Sequence, residues 1–356
     1  MAVAARQSIK GPVAWTGKDL EASGAWLRRL TDDHVATLEA ALARVNAAGM
    51  PTLAIRREDF PLPGFEALLA DLGEELENGV GAVRLSGLPV GRFSLEDMRR
   101  LFWGLGTHIG TALYQNAKGE LIGEVRDESG DAKPTYIDHQ PGRVKSSRAR
   151  ARSNGPLRFH TDRCDVIALL CAQNSMEGGV SKLVSIATIH NEILRRRPDL
   201  LDVLYQDFYR SRPEDEDGLH AERWFKLPVF GAVDGKLTSQ YSRTYVEQAQ
   251  EFDDVPRVTP AQVEAMDMLA EIAEANCVYA PFVEGDMQFL NNHVIYHGRT
   301  AYEDDPVAGK SRRLMRLWFS MPNSRRLPDG FETFWGSKEP GALRGGVQVQ
   351  QVPAAA

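Results

Sequence analysis

The stretch Phe159-His160-Thr161-Asp162 carries an imidazole and a carboxylate two residues apart. In an extended backbone, residues i and i+2 project to one face, so both side chains would enter the same space. Such a pair is common by chance and gains meaning only with a further ligand. Asn291-Asn292-His293-Val294-Ile295-Tyr296-His297-Gly298-Arg299 offers two histidines, His293 and His297, of equal parity in a strand. Two imidazoles and one carboxylate on one face of an ion leave the opposite positions open, the donor pattern of non-haem Fe(II) chemistry. Further on, in Lys310-Ser311-Arg312-Arg313-Leu314-Met315-Arg316, residues Arg312, Leu314 and Arg316 share one parity and Arg313 takes the other. Two arginines facing an apolar interior are costly unless anions meet them, and the guanidinium fork suits a carboxylate. Salt bridges at a strand end would account for the same spacing more plainly.

These residues need a scaffold. Apolar spacing predicts helices over 32–48 and 65–78, and Ser94 with Glu96 and Asp97 predicts a capped helix to Leu105. Gly81–Gly87 reads as an early strand. From Phe159 the rhythm changes to short strands: 165–172, 181–187, 277–283, 287–291 and 314–321, with a hairpin at Asp234-Gly235. Helices are predicted over 188–197, just after Pro198, and from Thr259-Pro260 to Ala275. Short strands with Gly and Pro turns, plus peripheral helices, point to an α+β chain with a jelly-roll core. Residues 115–158 show little periodicity and read as a lid or binding loop. Residues 1–15 read as a loosely held arm. No repeat and no linker marks a second domain.

Composition narrows the function classes. The chain has 356 residues, 43% apolar and 26% charged, with a net charge of −7, which argues against a general nucleic-acid binder. No apolar run approaches the roughly 18 to 20 residues of a membrane span. The N-terminal stretch lacks the apolar core of a secretory signal. The three cysteines, Cys164, Cys171 and Cys277, form neither a disulfide framework nor a C-x-x-C pair, so a reducing compartment, the cytoplasm, is expected.

Two stretches bear on a substrate. Arg143, Lys145, Arg148, Arg150, Arg152 and Arg158 follow one another without an acidic residue; they suit an anionic molecule or an acidic neighbour, or simply a solvated loop. Tyr241-Ser242-Arg243-Thr244-Tyr245 follows a strand and could line a pocket with Tyr241 and Arg243, although capping and packing explain it nearly as well.

Four elements in order, F-H-T-D at 159–162, Gly178-Gly179-x-Ser181, N-N-H-x-x-x-H-G-R at 291–299 and R-x-x-x-R at 312–316, give the chain a resemblance over roughly residues 80–325. It resembles the taurine dioxygenase family of Fe(II)/2-oxoglutarate-dependent oxygenases, near its clavaminate-synthase-like branch. The resemblance implies a double-stranded β-helix spanning 80–325, a helical extension over 1–79 and a C-terminal tail over 326–356. It implies iron ligands at His160, Asp162 and His297, with His297 favoured over His293 by the Gly-Arg that follows it. It also implies Arg312 on the distal carboxylate of 2-oxoglutarate, Ser181 where the family commonly has Thr, and Arg316 near the other carboxylate or the substrate. With Asp162 retained no halide site is vacated, so hydroxylation is expected, desaturation or ring closure being alternatives. The implied cosubstrates are 2-oxoglutarate and O2, and the implied partner is a small, anionic or amino-acid-like molecule, with neither nucleic acid nor membrane. Homo-oligomers are common in the family, and the apolar N-terminal helices would suit an interface. A cupin-like metalloprotein catalysing isomerisation or hydrolysis is the competing reading.

Overall fold

A computed structural model describes residues 6–131, 147–212, 220 and 222–347. Its centre is two facing sheets. The larger runs in the order Leu27–Arg29, Ala82–Ser86, Met287–Asn291, Val166–Gln173, Arg313–Ser320 and Thr111–Ala112, with Ile122–Val125 also on Arg313–Ser320. All its pairs are antiparallel except the first. The smaller sheet is antiparallel, in the order Val278–Ala280, Ser181–Ser185, Ile295–Arg299, Leu157–His160. This is the expected jelly roll.

Strand parity explains where each side chain goes. Along Val166–Gln173, Val166, Ala168, Leu170 and Ala172 pack outward with the N-terminal helices, while Ile167, Leu169 and Cys171 point between the sheets. Arg313–Ser320 repeats the pattern: Met315, Leu317 and Phe319 outward, Leu314 and Trp318 inward. Burial on both faces is why these strands read as nearly continuous apolar runs rather than alternating ones. The smaller sheet is covered on its outer face by helices Ile186–Arg196, Pro198–Leu204 and Pro260–Asn276, which pack on Val184 and Tyr296. Four layers result: helices, sheet, sheet, helices.

Most predicted elements lie within two or three residues of their observed bounds. The helices at Asp32–Ala47, Leu95–Gly106 and Pro260–Asn276 each start at a capping box, with Thr31, Ser94 and Thr259 as N-caps. The Asp234-Gly235 turn has both residues at positive φ, as its two-residue hairpin requires. Three expectations change. The N-terminal helices spend their apolar faces on the larger sheet, through Val35, Leu38, Leu42, Leu72 and Leu76, instead of leaving them for a partner. The arm is pinned: Ile9 N–H donates to Asn191 Oδ1 at 2.8 Å, Trp15 Nε1 to the Val80 carbonyl at 2.8 Å, and Trp15 is buried. The predicted lid includes an edge strand, Ile122–Val125, too short to show a period. The middle of that lid, with Arg143 and Lys145, lies outside the described residues.

Candidate active site

His160 and His297 are directly opposed on neighbouring strands of the smaller sheet. That register puts their rings on one face, 4.3 Å apart between centroids. The close approach depends on Gly298, where a Cβ would stand 2.8 Å from the Leu157 carbonyl oxygen. The chain then leaves the strand, and Asp162 turns back beneath the pair. Its Oδ1 is 3.7 Å from His160 Nε2 and its Oδ2 3.9 Å from His297 Nε2. The three ligand atoms lie within 4.8 Å of one another, the one such three-residue group among the described residues.

Neighbouring groups aim two of the three ligands, while His297 Nδ1 has no hydrogen-bond partner. His160 Nδ1 donates to the Arg158 carbonyl at 2.9 Å, which leaves Nε2 with its lone pair. Trp318 Nε1 donates to Asp162 Oδ2 at 3.1 Å, and Asp162 N–H donates to Asn292 Oδ1 at 2.9 Å. Burial alone would raise the Asp162 carboxyl; Arg316, the two imidazoles and the Trp318 hydrogen bond outweigh it and hold the carboxylate below its usual range. Burial, with His160 and Arg316 nearby, pushes His297 down to about 3, against the pull of Asp162. His297 is therefore neutral at pH 7 and able to ligate. Two imidazole nitrogens and one carboxylate oxygen, open on the far side, form a donor set that fits Fe(II).

A cavity beside the triad is lined by Ser181, Arg299, Arg312 and Arg316, with Ile167, Leu169, Phe282 and Leu314 as apolar walls. Arg312 is 5% exposed and its Nη1 has no hydrogen-bond partner. Burial and the nearby Arg299 lower it to about 10, which still leaves it charged at neutral pH. A buried cation with an unpaired donor is costly, and an incoming carboxylate removes that cost. Gly179 makes room for it, since a Cβ there would press to 3.0 Å from Arg312 Nε. Ser181 Oγ lines the same space and accepts from Gln288 Nε2 at 3.1 Å. Arg316 is held from behind: its Nε donates to Gln115 Oε1 at 2.6 Å, while Gln115 Nε2 donates to the Arg316 carbonyl at 2.8 Å.

The triad, Ser181, Arg312 and Arg316 thus come together as expected, with Arg313 turned outward toward Glu124 at 3.7 Å. Of the three proposed substrate residues Arg316 is at the site, whereas Tyr241 and Arg243 are not. Arg243 pairs with Glu247 and with Asp267 at the surface. Tyr241 is buried against Tyr296, ring centroids 5.5 Å apart, on the outer side of the smaller sheet. Its neighbour Gln240 instead lines a second chamber. In the basic stretch, Arg152 is buried against Glu120 and Glu128, and Arg158 pairs with Glu247. His293 sits in a turn between the sheets, so strand parity with His297 does not apply; its Nε2 meets Asp165 at 2.8 Å.

Sequence reasoning missed several contributors. Trp318 shares the parity of Arg312 and Arg316, so the same i, i+2 count reaches it. Arg299 closes the motif it belongs to: its Nη2 donates to the Ser153 and Gly155 carbonyls, each at 2.6 Å, tying the His297 strand to the loop before His160. Gln115 and Gln288 carried no signal, because an isolated amide side chain has no diagnostic spacing.

The model of the family described as "Taurine catabolism dioxygenase TauD, TfdA family" matches residues 46–318. The chain belongs to this family. As a TauD, TfdA protein it is an Fe(II)- and 2-oxoglutarate-dependent oxygenase, which sets aside the non-oxidative cupin-like reading. FR-33289 synthase from Streptomyces rubellomurinus is 28% identical over 341 residues, spanning 94% of this chain and 96% of that protein. The taurine hydroxylase-like protein SAT17 from Stachybotrys chartarum is 27% identical over 315 residues, 87% of this chain and 79% of that one. Among solved structures, asparagine oxygenase with Fe(II), hydroxyasparagine and succinate superposes with a TM-score of 0.62 at 16% identity, covering 83% of this chain and 93% of that one. The non-haem iron oxygenase OrfP with Fe and α-ketoglutaric acid gives 0.60 at 16% identity, covering 89% and 99%.

Proposed function

We propose that the protein hydroxylates a small, anionic or amino-acid-like molecule, with His160, Asp162 and His297 holding Fe(II) and Arg312 with Ser181 holding the distal carboxylate of 2-oxoglutarate. The observation that carries this reading is the pairing of an open His-Asp-His face with a buried, partly unpaired Arg312 in one cavity. Bound there, iron with 2-oxoglutarate would supply O2 activation coupled to oxidative decarboxylation of the cosubstrate.

The chain's own residues do the rest. His160 is fixed by the Arg158 carbonyl, and Asp162 by Trp318 and Asn292. Both enter metal binding already oriented, which removes ordering cost. Arg312 supplies a fork for a carboxylate, and Arg316, braced by Gln115, adds positive charge beside Asp162. Ile167, Leu169, Phe282 and Leu314 keep water from the cosubstrate end. Retention of Asp162 supports hydroxylation, and the hydroxylated amino acids bound to asparagine oxygenase and to OrfP are consistent with it. With Cys164 and Cys171 buried as free thiols, a cytoplasmic location fits this reading.

The test is succinate formation from 2-oxoglutarate with and without Fe(II), across a panel of small carboxylates, sulfonates and amino acids. Iron-dependent succinate that rises with one class supports the proposal. Turnover independent of iron or of 2-oxoglutarate refutes it.

A further inference from the structure

The second chamber shares Ala151, His160, Asp162 and Arg316 with the cosubstrate cavity, so it opens on the same iron face. Phe225, Trp318, Phe334 and Val347 give it apolar walls, and Thr161, Ser211, Gln240 and Tyr245 its neutral polar groups. Gln240 is 1% exposed, and its Oε1 has no hydrogen-bond partner. Its backbone is held firmly. Gln240 N–H donates to the Val229 carbonyl, and at the next residue the Tyr241 carbonyl accepts from Thr161 N–H of the ligand motif while Tyr241 N–H donates to Thr161 Oγ1. An amide oxygen this buried, anchored beside the metal motif and without a partner, costs stability unless something in the chamber meets it.

Resting on the oxygenase reading above, we infer that Gln240 is a specificity residue whose carboxamide pairs with a neutral amide group of the substrate, so that the enzyme takes an anionic molecule with an acylated nitrogen rather than a free ammonium. A carboxamide both accepts and donates, matching the N–H and C=O of a second amide. An ammonium in this chamber would need an anionic partner. Among the described lining residues the one carboxylate is Asp162, and the metal takes it.

The test uses the full chain with Fe(II) and matched pairs: taurine and N-acetyltaurine, β-alanine and N-acetyl-β-alanine, asparagine and N-acetylasparagine. At least one N-acetyl member is expected to stimulate succinate formation about tenfold more than its parent, the worth of one or two buried hydrogen bonds. Gln240→Leu should raise KM for that compound about tenfold with kcat within about twofold, the mark of lost ground-state binding. Gln240→Glu should move the preference toward the free amine. Faster turnover of the parents, no stimulation by any member, or an unchanged KM in Gln240→Leu overturns the inference. The visible band of Fe(II) with 2-oxoglutarate under argon separates the two readings. Its absence from the wild-type chain sinks the oxygenase reading and this inference with it, whereas a normal band with free-amine preference sinks this inference alone.

Discussion

The Asp165–His293 pair and the Asp162–His297 pair are built from the same two side-chain types, drawn from the same two stretches of chain. Around Asp165 every direction is filled. Its Oδ1 meets His293 Nε2 and Arg344 Nε, each at 2.8 Å, and its Oδ2 accepts from Met321 N–H at 2.9 Å. His293 Nδ1 meets Thr238 Oγ1 at 2.8 Å, and its ring lies on Trp335. Around Asp162 the imidazoles stand too far off to bond to it, and one face is left open to a cavity. A carboxylate and a histidine saturated by the protein form a brace between sheets; the same pair left unsaturated is ready for an ion.

Breaking each cluster should therefore cost a different quantity. His160→Ala or His297→Ala should abolish Fe(II) binding and lower iron-dependent succinate formation more than about a hundredfold, with a melting temperature near wild type without metal. Asp165→Asn should instead cost about 3–5 kcal/mol of unfolding free energy, read by denaturant titration, since it strands Arg344 and His293 in the interior. If Asp165→Asn spares stability, the distinction fails. Next in size, Arg312→Met should raise KM for 2-oxoglutarate about tenfold or more while leaving stability equal or improved, because it removes a buried, partly unpaired cation. Trp318→Phe removes one donor to Asp162 and should weaken iron affinity about tenfold, measurable by chelator competition.

The last effect is a pH slope. His297 is held down to about 3 in the folded chain, against about 6.5 when unfolded. Below pH 6.5 the unfolded chain binds a proton that the folded one refuses, so metal-free stability should fall as pH drops from 6.5 toward 3. His293, lowered chiefly by burial and opposed by Asp165, adds in the same direction. His297→Gln should flatten this slope without removing it, because the His293 contribution remains. A slope unchanged in that variant would mean that His297 does not titrate in this range.

The legibility of the site tracks the reach of local geometry. Arg316 and, by the same count, Trp318 follow from alternation along one strand, with Arg312 just before it, which sequence records directly. Asp162 lies past the end of the His160 strand and reaches the site through a turn of the chain. The opposition of His160 to His297 is a matter of register between distant strands, and motif order alone pointed to it. Tyr241 illustrates the limit: the strand before it ends at Ser239, two residues short of the expected Tyr241, and the residue that faces the chamber differs from the one expected. A one-residue change of face exchanges a chamber residue, Gln240, for a core residue. Gln115 and Asn292 act through contacts set by tertiary packing, which a lone amide in the sequence cannot announce. The segment read as a C-terminal tail is another such case. Through Val347 it folds back to form chamber wall, because Phe331, Phe334 and Trp335 pack with Phe225 and Leu227.

That segment also bears on how the enzyme comes into being. Arg344 reaches back to Asp165, Gly346 N–H donates to the Arg163 carbonyl, and Val347 N–H to that of Tyr114. A ribosome that has already delivered both histidines and both arginines has still not delivered the last pieces of the vessel around them. The chamber wall is therefore completed only by residues that follow both histidines and both arginines along the chain.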